Sequence, residues 1–184
     1  MSASGELRLT PDVRWQDLGI TMEWIEQKAE WIRRDSGSPG LIDHFFDVAG
    51  RLMRLCGYDY VLLGPMFFHA VIGLEAMLRV HFNAGPDSSF KELLARAVSE
   101  KVITDRAFSD PKPLREYFKA KIGKPRPRTH AGKLAILLPK LRNDYFHGSA
   151  LLASELLHLA LEVREAADAL TMPRTPAWKK GVGE

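Results

Sequence analysis

A single cysteine, Cys56, stands in the whole chain. That excludes an intramolecular disulfide and any cysteine-based zinc site, and leaves Cys56 the role of a small buried hydrophobe. Such usage fits a reducing, cytoplasmic setting. An excess of one charge is missing too: 26 Lys and Arg against 23 Asp and Glu leave +3. No strong overall field therefore draws in nucleic acid, and local charge must carry any such role. The opening "MSASGELRLTPD" has no apolar run, so no signal peptide is expected. No segment alternates with period two, which argues against a sheet. HExxH, Walker A and GxGxxG patterns are absent. His44, His69, His81, His130 and His158 are too scattered to argue as ligands, so neither a metal nor a cofactor is expected.

Helical periodicity fills the chain instead. Its 184 residues suit one domain, and 46% hydrophobic with 27% charged residues is ordinary globular material. A first helix is expected from about Asp12 to Arg34, with Trp15, Leu18, Met22, Ile25, Ala29 and Ile32 inward. After "SGSPG" a second, about Leu41 to Cys56, places Leu41, Phe45, Val48, Leu52 and Leu55 on one face. Val61 to Val80 is the most apolar stretch, but Gly64-Pro65 and the ionisable His69, Glu75 and Arg79 argue against a bilayer span. It reads as the central helix of a bundle, with Pro65 in its first turn. Ser89 and Glu92 have capping-box spacing at the start of a fourth. Thr104 to His130 carries four prolines, with room for a short helix near Leu114–Lys121. Two more helices follow, about Ala131 to His147 and Ala150 to Leu170. The expectation is an all-α up-and-down bundle with an extra N-terminal helix, residues 10–172, and a loose tail, residues 173–184.

The fifth of these helices ends in "LRNDYFHGS". Leu134, Leu138, Leu141 and Tyr145 form its inward stripe. From Leu141, Asn143 lies about 200° around and His147 about 240°, so these two are neighbours on the outward side. Arg142 sits about 140° from His147, and the two converge only if the last turn unwinds at Gly148 or a second chain completes the arrangement. Pro139 removes one hydrogen bond from the same helix and is expected to kink it. A cation near a helix C-terminus followed by glycine is also an ordinary helix ending. The chemical alternative gives Arg142 the oxygens of a phosphate and His147 a proton to move near neutral pH.

Arg142-Asn143-Asp144-Tyr145-Phe146-His147 resembles the signature of HEPN domains, an arginine and a polar residue followed by a histidine. "FHAVIGLEAMLRVHF" is similar to the family's earlier apolar helix and "SFKELLARAVSEKVITD" to the helix after it. The resemblance covers about Leu41 to Leu170, with Asp110 to Arg128 looking like an insertion. It implies a metal-independent endoribonuclease in which paired protomers face both motifs into one cleft. His147 would assist attack of the ribose 2′-OH, Arg142 would steady the charged phosphorane, and Asn143 would orient them. The products would be 2′,3′-cyclic phosphate and 5′-OH ends. It further implies a toxin or phage-defence role, in some cases beside a nucleotidyltransferase antitoxin. Other members are inactive modules that bind a partner or nucleic acid, which is the alternative reading.

Two features outside the motif join it. "PKPLREYFKAKIGKPRPR" sets Lys119, Lys121, Lys124, Arg126 and Arg128 around Tyr117 and Phe118, a composition that can track an RNA backbone or serve as a solvated loop. Glu75 and Arg79 have ion-pair spacing on the central helix. The resemblance also implies Glu75 as a candidate supporting acid for the site, since related domains can carry an acid there.

Overall fold

The computed structural model describes residues 10–35, 40–110, 127–146 and 154–171. Among them every regular element is a helix. In chain order they are α1 (Arg14–Asp17), α2 (Met22–Arg33), α3 (Gly40–Cys56), α4 (Leu63–Phe82), α5 (Phe90–Ser99), α6 (His130–Phe146) and α7 (Glu155–Thr171). Short 3-10 turns at Tyr60–Leu62 and Asp105–Ala107 join some of them. The expected short helix near Leu114–Lys121, His147 and the tail lie outside the described residues.

The long first helix is corrected to two. Gly19 takes φ +66, a left-handed backbone that glycine adopts without strain, and Thr21 then caps α2 by accepting from the Trp24 amide at 3.1 Å. Leu18 is consequently 47% exposed instead of inward. Trp15 stays buried in α1, its indole N–H donating to the Cys56 carbonyl at 2.7 Å.

The α3 face is corrected as well. Ile42, Phe46, Ala49, Met53 and Cys56 are buried, one residue along from the expected stripe, while Leu41 is 71% and Leu55 45% exposed. Gly50 lets α2 and α3 cross closely, since a Cβ there would come within 2.6 Å of the Ala29 carbonyl oxygen. Gly73 does the same for α4, a Cβ there meeting the Phe46 ring at 2.9 Å.

Neighbour contacts fix the directions. Glu30 meets Arg54 and Met22 lies against Gly57, so α2 and α3 are antiparallel. A tight turn returns the chain as α4, the most buried helix. Within the apolar stretch Tyr60–Phe82, 61% of the most apolar 18 residues are buried inside the bundle, the disposition of a core helix. The cap expected of α5 is present in both halves, Ser89 Oγ accepting from Glu92 N and Glu92 Oε2 from Ser89 N. Helix α7 closes the core against α4. Its Arg164 is fully buried, donating to the Ile32 carbonyl at 3.0 Å and to Asp168 at 3.0 Å, with the guanidinium over the Phe46 ring. One cation thus ties α2, α3 and α7 together.

Candidate functional site

Helix α6 is seated at both ends. The Asp105 carboxylate accepts from the Ala131 amide at 2.9 Å, satisfying a free N–H at the helix start. The helix then continues through the buried Pro139 to Phe146. Leu134, Leu138 and Leu141 face the core as their spacing predicts, joined by Ala131 and Leu137, while Tyr145 of the expected stripe is half-buried.

The motif's first residue turns toward α4. Arg142 Nη2 lies 3.0 Å from Glu75 Oε2, while Glu75 Oε1 accepts from Arg79 Nη2 at 2.9 Å. Arg79 also donates through Nη1 to the Gly85 carbonyl at 2.8 Å. Glu75 is buried, and a buried carboxylate needs such partners to offset lost hydration. Arg79 and Arg142 thus each take one oxygen of the same carboxylate, and both side chains reach the surface. The i,i+4 pair expected from the sequence is therefore real, and Glu75 does stand beside Arg142. The Arg142–Glu75 contact joins residues 67 apart and left no local signal.

Tyr145, half-buried, stacks on Phe68 with ring centroids 5.0 Å apart and planes at 24°. Gly64 makes this possible, because a Cβ there would meet Tyr145 Cε2 at 2.9 Å. Together with Arg142–Glu75 these contacts run α6 antiparallel to α4. Asn143 is exposed on the outer side of α6, as its angle from Leu141 predicts, and Ile136 lies two turns before it. The motif helix therefore presents Arg142 at its seam with α4 and Asn143 to solvent. His147 lies outside the described residues.

Of the basic stretch, Arg128 is exposed just before α6, while Lys119, Lys121, Lys124 and Arg126 lie outside the described residues. Arg128 and Arg142 are separated by about 20 Å along the helix direction. Elsewhere His69 on α4 is half-buried, with Nδ1 lacking a hydrogen-bond partner; burial, and then the nearby His44, push its pKa down. Cys56 is fully buried as expected, and burial pushes its thiol up to about 12, far from a reactive thiolate. Among the described residues no three His, Cys, Asp or Glu side chains gather around one point fit for a metal ion. No family model, curated protein or solved structure matches the chain.

Proposed function

We propose that the protein is a HEPN-type, metal-independent endoribonuclease of the cytoplasm, working as a pair of protomers in a toxin or phage-defence setting. The observation that carries this is the Glu75–Arg142 contact. A buried acid on the central helix holds the motif arginine at 3.0 Å, beside exposed Asn143. A guanidinium so oriented is suited to a phosphorane, whose charge develops only in the transition state. In this reading His147 takes the proton of the ribose 2′-OH as its oxygen attacks phosphorus. The P–O5′ bond breaks, a proton reaches the leaving O5′, and 2′,3′-cyclic phosphate and 5′-OH ends result. Arg128 and the basic residues before it would carry the RNA backbone toward the motif. A nucleotidyltransferase-type antitoxin would be the protein partner.

A second reading has its own observation. Glu75 already neutralises part of the charge on Arg142, which is also what a purely structural ion pair does. In that case the domain is a silent module that binds a partner or nucleic acid. Purified protein incubated with RNA in EDTA decides between them. Cleavage to cyclic-phosphate ends, lost in Arg142→Ala and His147→Ala, supports the nuclease. Intact RNA at every protein concentration, with any antitoxin removed, supports the module.

A further inference from the structure

Arg128 and the motif stand at opposite ends of α6, and the helix between them carries an outward line of its own. Counted from Asn143 at about 100° per residue, Ile136, Lys140 and Lys133 fall within about 80° on one side. Ile136 and Asn143 are exposed, and Lys133 and Lys140 are half-buried, as lysines are when their stems lie along a helix. The two lysines are two turns apart, about 10 Å along the axis, with Ile136 between them. Lys133 makes no side-chain hydrogen bond or ion pair among the described residues, whereas Lys140 has a further contact. The acids that touch α6 approach it elsewhere. Asp105 does so at Ala131, Glu75 at Arg142 and Glu162 at His130, each about 100° or more around from Asn143. The helix's own acid, Asp144, lies at the edge of the line beyond Lys140.

We propose that a single strand of RNA lies along this line, with phosphates on Lys133 and Lys140 and a base against Ile136, and so reaches Asn143. The proposal rests on the reading that the motif handles RNA, and it supplies what spans the roughly 20 Å between Arg128 and Arg142. Two outward lysines with no acid between them attract a polyanion and repel a second copy of themselves. Their separation of about 10 Å matches about three phosphate steps of a stacked strand, at about 3.4 Å each. Ile136 favours a single strand over a duplex. It is 36% exposed, and only an unpaired base offers it a flat apolar face. The line also gives the substrate a polarity. Lys133 lies about 15 Å from Asn143, so about four nucleotides on one flank of the cut bond are held by α6.

The test is binding of the full chain to a fluorescent 2′-O-methyl oligouridylate of about 12 nucleotides, which has no free 2′-OH and so cannot be cut by the proposed chemistry. The double variant Lys133→Gln/Lys140→Gln should bind at least about 10-fold more weakly at low salt. Its slope of log K against log salt should fall by about 1.4, two phosphate contacts at about 0.7 each. Lys28→Gln, on α2 beside Trp24, should change neither quantity, and Lys133→Arg/Lys140→Arg should keep both. With an unmodified strand, the glutamine pair should raise KM and spare kcat, because these contacts hold ground state and transition state alike. Shortening one flank of that strand below about four nucleotides should raise KM in the wild type but not in the glutamine pair. A wild type that does not bind the oligouridylate overturns the proposal. So does unchanged binding and salt slope in the glutamine pair, an equal loss in Lys28→Gln, or a blunt RNA duplex bound as tightly as the single strand. Cleavage that persists while the glutamine pair binds like wild type keeps the nuclease reading and sinks this inference. Binding as described by a chain that never cuts RNA keeps this inference and sinks the nuclease.

Discussion

The two flanks of α3 make opposite use of one helix. Toward α2 it is laced with ion pairs: Asp47 binds Arg33 at 2.8 Å and Arg51 at 2.8 Å, and Arg54 reaches Glu30. Toward the outer side of α4 it offers leucine, phenylalanine and valine to solvent. The polar flank is completed within the chain, each charge finding its counterpart on the next turn or the next helix. The apolar flank has no counterpart among the described residues. Among the described residues α3 meets α2, α4 and, through Phe46, Arg164 of α7, and the second stripe takes no part in those contacts.

Catalysis should suffer most when the motif is changed rather than either flank. Arg142→Ala should lower RNA cleavage by about 10²–10³ in kcat, the scale of a lost charge-stabilising donor. Glu75→Gln should lower it less, by loosening the Arg142 guanidinium while leaving it charged. Single-turnover cleavage measures both, and equal activity in all three proteins would reduce the motif to an ordinary helix end.

Stability should respond most on the completed side. Arg164→Leu removes two charge-assisted hydrogen bonds from a fully buried group and should cost about 3 kcal/mol in urea unfolding. By contrast Arg54→Ala, which breaks an exposed pair with Glu30, should cost less than about 1 kcal/mol. Between them lies Gly64→Ala. Its new methyl meets Tyr145, so a loss of about 1–3 kcal/mol is expected, recovered in part by adding Tyr145→Ala. Additive losses in that pair would show that the α4–α6 seam is not set by this contact.

Acid should loosen the two sides of the molecule in different pH windows. His69 has a pKa lowered in the folded chain, so the unfolded chain binds its proton first. Its contribution is fully present above about pH 6.5, the ordinary histidine value, and is lost as pH falls toward the lowered one. For Asp47, burial works against the charge but Arg33 and Arg51 outweigh it, and the pKa is lowered. That contribution is present above the ordinary carboxylate range, near pH 4, and is lost only below it. Melting temperatures at closely spaced pH values should therefore show a shallow first decline, absent in His69→Gln, and a later one weakened in Asp47→Asn. A first decline unaltered by His69→Gln would detach it from this histidine.

Local features were legible in the sequence and pairings were not. The capping box of Ser89, the inward stripe of α6 and the outward Asn143 all follow from spacing along one helix, and the burial of Cys56 from its residue type. The Glu75–Arg79 pair does too. The break at Gly19 was hidden because Trp15 through Ile32 keep helical period straight across it. On α3 the apolar arc is wide enough for two stripes, and periodicity cannot say which of them the core takes. Phe46 decides it by seating on Gly73, a contact between separate helices. The partner of Arg142 was hidden for the same reason, since only the α4–α6 crossing brings Glu75 to it.

Trp15 gives the molecule an optical reporter of its own. Its indole is buried and bonded to the carbonyl that ends α3, whereas Trp24 and Trp31 lie half-exposed on α2 beneath Lys28 and Arg34. Emission from Trp15 should therefore sit to the blue of Trp24 and Trp31, with the fourth tryptophan, Trp178, outside the described residues. A shift of that blue component alone would register α1 lifting from the bundle, before any of the longer helices part.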